Sequence, residues 1–169
     1  MKYFLLMLSL VFGSVAGFGQ KKACPFLRTS ISRPDSIRTK QLVQSIAAMQ
    51  LEPFFQVDKI PDFIKKTFQC WNDKWAIANP DQPYNETDVV EDTTLPWRQL
   101  TYIGLNEHYM LMAYKQGGWG TMCRALLFRF DNEKIISVMY WVSTCQEIKT
   151  KEEVLKSLKP LEPMFILTI

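Results

Sequence analysis

The chain has 169 residues, 47% hydrophobic and 22% charged, with 20 basic side chains against 17 acidic ones and a net charge of +3. That composition excludes wholesale disorder. So small a charge, spread along the chain and falling to +2 without Lys2, implies neither nucleic acid nor an anionic membrane surface as a partner.

The first residues, "MKYFLLMLSLVFGSVAGFGQ", run basic, then apolar from Phe4 to Phe12, then small. This is the layout of a secretory signal peptide, and the apolar run is shorter than the roughly 20 residues a membrane span needs. Cleavage after Gly19 would make residues 1–19 a signal peptide and residues 20–169 a single exported domain, periplasmic or secreted. Lys21 and Lys22 separate Cys24 from the apolar run, so a lipid anchor is not expected. The remaining length suits one domain with a hydrophobic core.

Pro34-Asp35-Ser36 offers a helix start, and Ile37, Leu42, Val43, Ile46, Ala47 and Met49 follow at helical spacing. "LEPFF" breaks that helix at Pro53. A second helix is predicted over 58–79, with Ile60, Ile64, Phe68, Trp71 and Trp75 on one core-facing stripe. Residues 79–96, "NPDQPYNETDVVEDTTLP", hold three prolines, five acidic residues and no basic one. They read as a solvated acidic loop, because the alternating ligands and turn glycine of a calcium loop are missing. The loop also contains the sequon "NET" at Asn85, which matters only in a glycosylating host.

From Trp97 four strand-like runs follow: "WRQLTYIGL", "HYMLMAYKQ", "TMCRALLFRF" and "IISVMYWVSTC". The turns between them read as Asn106-Glu107, Gly118-Trp119 and Asn132-Glu133. Thr150 with Glu153 three residues on is a capping box for a short helix ending at Leu158, and "MFILTI" offers a last strand. The expected fold class is α+β, with two N-terminal helices packed on a four- to five-stranded antiparallel β-meander and a short C-terminal helix.

Those turn centres place Leu100, Tyr102, Tyr109, Leu111, Leu126, Phe128, Met139 and Trp141 on one sheet face. Ile103, Met110, Met112, Tyr114, Leu127, Val138, Tyr140 and Val142 fall on the other. Neither set is polar, so both faces are covered by the chain's own segments or a second subunit, or the sheet curls around an interior, or part of one face binds a ligand. The two helices would cover one face.

Cys24, Cys70, Cys123 and Cys145 are disulfide candidates, an even count in an exported chain. The spacing contains no Cys-x-x-Cys, and the connectivity is open among three choices. Cys123 falls opposite Val142 in the expected register, so direct pairing with Cys145 would need a bulge.

No nucleophile elbow, zinc-protease helix, P-loop or dinucleotide fingerprint is present, so no cofactor and no metal is implied. His108, the one histidine, is the weak catalytic candidate. "YKQGGWGTMC" reads as a hairpin whose glycines supply positive backbone angles, with Trp119 at its tip and Lys115 and Arg124 beside it as contact residues. The leading expectation is a small binding module, inhibitor-like or a carrier, for a protein or a small apolar ligand. Its rivals are an extracytoplasmic hydrolase using His108 with a carboxylate, and a domain that forms a homodimer through an apolar face.

Overall fold

A computed structural model describes Cys24, Phe26 and residues 28–90, 92–143 and 148–159. The expected signal peptide, the strand at "MFILTI" and Cys145 lie outside these residues. The described fold is α+β. Helix α1 spans Ser36–Ala48, α2 spans Asp62–Trp71 and α3 spans Lys151–Ser157. The strands are β1 Glu52–Phe54, β2 Arg98–Leu105, β3 Tyr109–Gln116, β4 Met122–Asp131, β5 Lys134–Ser143 and β6 Leu158–Lys159. They form one antiparallel sheet in sequence order, β1 to β6.

The helix ends follow local chemistry. The Asp35 carboxylate accepts from the Arg38 N–H and caps α1. Thr150 and Glu153 form the expected capping box at α3. Lys151 Nζ donates to the Ala47 and Met49 carbonyls at 2.8 and 2.7 Å. It thereby ties α3 to the C-terminal end of α1, where the helix dipole favours a cation.

Helix α2 is shorter than its periodicity predicts. Its cap falls at Asn72, whose side chain accepts from the Lys74 N–H and turns the chain out of the helix. Trp75 still reaches the expected stripe from outside the helix, stacked on Phe68 with ring centroids 4.0 Å apart. Strand β1 forms where only a break is expected. Pro53 is tolerated because β1 is an edge strand, hydrogen-bonded on one side only.

Both sheet faces are covered, and the helices divide between them. Ile60, with Ile64 and Phe68 of α2, packs on Leu100, Ile103, Met110, Met112, Tyr114, Leu126, Phe128, Val138 and Tyr140. Ile46 of α1 with Val154 and Leu155 of α3 packs on Tyr102, Leu111, Ala113, Ala125, Leu127 and Trp141. The helices therefore do not share a face.

Four side chains have changed sides from the expected sets. Leu100 moves because Thr101 is an extra residue in β2, where the pairing steps from Leu100↔Tyr114 to Tyr102↔Ala113. Leu126, Leu127 and Phe128 move because the β3–β4 connection centres on Trp119, giving Gln116↔Met122 and Tyr114↔Arg124. In β5 the pairing steps from Phe130↔Ile135 to Arg129↔Ser137, so Ile136 bulges out and is exposed. As a result Cys123 faces Ser143, not Val142. Asn132 and Glu133 both adopt positive φ, as the expected tight turn requires.

Of the three open pairings, Cys24 bonds Cys70, with Cα atoms 5.6 Å apart. Trp71 Nε1 donates to the Phe26 carbonyl beside that bridge at 2.7 Å. Cys123 is also disulfide-bonded. Disulfides of this kind are compatible with an oxidising, extracellular setting.

Candidate binding surface

Residues 117–121 emerge between β3 and β4 at one end of the sheet. Gly118 and Gly120 have φ of 142° and 104°, angles that exclude most side chains and leave Trp119 alone at the apex. The tryptophan is 94% exposed. An isolated bridge pairs Thr87 with Gly118. The Gly118 N–H donates to the Glu86 carbonyl at 3.3 Å and the Gly117 N–H to the Trp97 carbonyl at 2.9 Å. Residues 85–87, 96–97 and 117–118 therefore meet at this end. In or next to these segments Val89, Val90, Trp97 and Met122 are exposed along with Trp119.

The acidic stretch 79–96 is not the freely solvated loop its composition predicts. The Ala78 N–H donates to the Arg98 carbonyl and the Leu100 N–H to the Ala78 carbonyl, laying this segment along β2. Asn85 is 6% exposed, and its side-chain amide donates to the carbonyls of Asp92 and Leu95 at 2.9 and 3.0 Å. The sequon asparagine is thus a staple that closes the loop. In the folded chain its nitrogen is spent on those two bonds. Burial, with Glu86 beside it, pushes the neighbouring Tyr84 phenol up to about 12.

Lys115, Trp119 and Arg124 do not assemble into one tip. Lys115 pairs with Cys123 and Tyr114 with Arg124, so Lys115 and Arg124 lie on opposite sheet faces. Arg124 is 6% exposed, far from the solvated flank its charge suggests. One guanidinium Nη donates to the Tyr140 hydroxyl, and the other reaches the Met122 sulfur at 3.3 Å. The guanidinium carbon lies 5.5 Å from the Tyr140 ring centroid. On the same face Arg98, also buried, lies 5.7 Å from the Trp75 ring centroid and hydrogen-bonds Tyr114. Burial raises the phenols of Tyr114 and Tyr140, against the opposite pull of Arg98 and Arg124 on the first and of Arg124 and Arg33 on the second.

Sequence reasoning missed Arg98, Tyr114 and Tyr140 as companions of Arg124. The available signal was arginines, Arg98 and Arg124 among them, inside largely apolar strands of a sheet predicted to be covered on both faces.

His108 sits exposed in the turn between β2 and β3, at the opposite end of the sheet from Trp119. Its backbone N–H bonds Asn106 Oδ1. Its imidazole forms no hydrogen bond or ion pair with any described residue. An open groove of about 730 Å³ lies near it, lined by Met49, Leu51, Tyr102, Asn106, Glu107 and Lys151 among others. Among the described residues no cluster of three or more His, Cys, Asp or Glu is arranged to hold a metal ion, and no helix is long and apolar enough to cross a membrane.

No protein-family model, curated protein or solved structure matches this chain.

Proposed function

We propose that the chain is an exported binding module that engages a protein partner through the loop end carrying Trp119. The observation that carries this reading is a 94% exposed tryptophan held out between two positive-φ glycines, on a loop bonded to a second segment with exposed valines. Large exposed apolar groups gathered in one place mark contact surfaces, and tryptophan is the residue most enriched at energetic hot spots. Glu86, Asp88 and Asp92 flank Val89 and Val90 without a basic neighbour in the segment. The partner surface that fits is therefore apolar with basic residues at its rim.

Filled packing on both sheet faces favours a surface contact over a carrier that encloses an apolar ligand. The disulfide at Cys24–Cys70 and the basic-apolar-small start support export.

The test pairs Trp119→Ala with Val89→Asp against partners retained by the immobilised wild-type protein. Both variants are expected to melt like wild type, because surface changes away from packing stay within about 0.5 kcal/mol. Trp119→Ala is expected to weaken partner binding by about 2 kcal/mol or more, roughly 30-fold. A partner bound equally by both variants overturns the reading. A concentration-dependent dimer that Trp119→Ala dissociates would identify a second copy of this chain as the partner.

A further inference from the structure

Arg124 presents a different problem from Trp119, and one that does not depend on the loop end being a contact surface. A guanidinium cannot shed its charge at any accessible pH, so burying one is costly unless an anion accompanies it. Arg124 is 6% exposed, yet its side-chain partners are the neutral Tyr140 hydroxyl and the Met122 sulfur. No carboxylate of any described residue is within ion-pair reach of it. Its Nε is buried with no hydrogen-bond partner. Of the five N–H donors of an arginine, Nε–H and an adjacent Nη–H form the side-on fork that matches two oxygens of a carboxylate or phosphate.

The surroundings suit an anion. Tyr140 donates or accepts through its hydroxyl, and it is held neutral by burial, so it can serve as a second donor. The remaining charged groups that act on Tyr140 and Tyr114 among the described residues are Arg33 and Arg98, both cations. Met122, the other partner of Arg124, is exposed at the start of β4.

From this geometry we infer that Arg124 anchors a site for a small oxyanion, a carboxylate or phosphate group, entering beside Met122 with Tyr140 as the accompanying hydroxyl. The fork of Nε–H and Nη–H takes two oxygens of the ligand. The anion supplies the negative charge that the described residues around Arg124 do not.

Thermal melts in phosphate, in acetate and in chloride at matched ionic strength test this, with calorimetric titration for stoichiometry. Wild type is expected to show a saturable, one-to-one rise in melting temperature with phosphate or acetate, about 5 °C or more at a hundred-fold excess over the dissociation constant. Whichever anion saturates at lower concentration identifies the source. Arg124→Met is expected to abolish the rise and to melt at or above the wild-type temperature in chloride, because an apolar side chain of similar length carries no charge to bury. A wild-type melt that responds to no oxyanion, or only linearly as a general salt effect, overturns the site. So does an Arg124→Met protein that keeps the full anion-dependent rise. Should Arg124→Met fail to fold, Arg124→Lys keeps the charge but lacks the fork, and a ten-fold or greater loss of anion affinity is expected. Undiminished affinity in Arg124→Lys overturns the fork.

Discussion

One methyl group added at Gly117 is expected to detach the acidic segment from the β3–β4 loop. A Cβ there would lie 2.8 Å from the Asn85 carbonyl carbon, 2.9 Å from the Glu86 carbonyl carbon and closer still to the Asn85 oxygen. All three are backbone atoms, so no side-chain rotation relieves the overlap. Gly117 itself does not adopt positive φ, and its own conformation admits alanine. The penalty therefore comes from the contact alone. Retreat of residues 85–86 sacrifices the Gly118-to-Glu86 bond, and with it threatens the Asn85-to-Pro96 bond and the two bonds of the Asn85 amide. Two or three lost bonds, some leaving buried groups unpaired, amount to about 2–5 kcal/mol. For a chain of this length that corresponds to a fall in melting temperature of roughly 5–15 °C. Circular-dichroism melts of Gly117→Ala against wild type check it. A melting temperature unchanged to within about 1 °C would refute the claim that the two segments are closely packed.

Further outcomes follow from the same structure. Replacing Cys24 and Cys70 together with alanine releases a bridge spanning a sequence separation of 46, and about 4 kcal/mol of stability should go with it in calorimetric unfolding. A loss under about 1 kcal/mol would show that the bridge adds little beyond the packing of Trp71 and Phe26. Absorbance titration of the phenols should show that Tyr84, Tyr102, Tyr114 and Tyr140, four of the six tyrosines, resist ionisation while the chain is folded. A raised phenol contributes fully to stability below its unfolded value, and that contribution is lost as pH rises through the folded value, so unfolding is expected on the alkaline side. Ionisation of those four near pH 10 in a folded sample would contradict it. Expressed in a glycosylating host, the folded fraction should carry no glycan at Asn85, as intact mass would report. A glycosylated fraction with the wild-type melting temperature would show that the Asn85 amide is dispensable.

Elements with local chemical signatures were legible in the sequence. Thr150 and Glu153 announce their capping box, Asn132-Glu133 its turn, and the four long strands their runs of branched and aromatic residues. Register was not legible, for a definite reason. Because both faces are buried, the middles of the strands are mostly apolar on both sides, and no regular alternation of polar and apolar residues distinguishes one register from the next. The extra residues Thr101 and Ile136 and the five-residue loop 117–121 then redistribute the sides without any local mark. Trp119 was legible as a contact candidate because two glycines isolate it in sequence as they do in space. Arg124 was legible as a candidate but not as a buried one. A charge within a strand is read as facing water, as Arg129 of β4 does, and nothing local marks Arg124 as the buried one. The end of α2 escaped because Trp75 continues the helical stripe from a segment that is no longer helical.

The most direct test of the central claim places a photoreactive side chain at position 119 and, separately, at Ile37, an exposed apolar site on α1. Irradiation is carried out in the cells that produce the protein. The account predicts a discrete adduct from position 119, absent from position 37 and lost when Gly117→Ala is added. No adduct from position 119 in a protein that keeps its fold, or equal adducts from both positions, would contradict it.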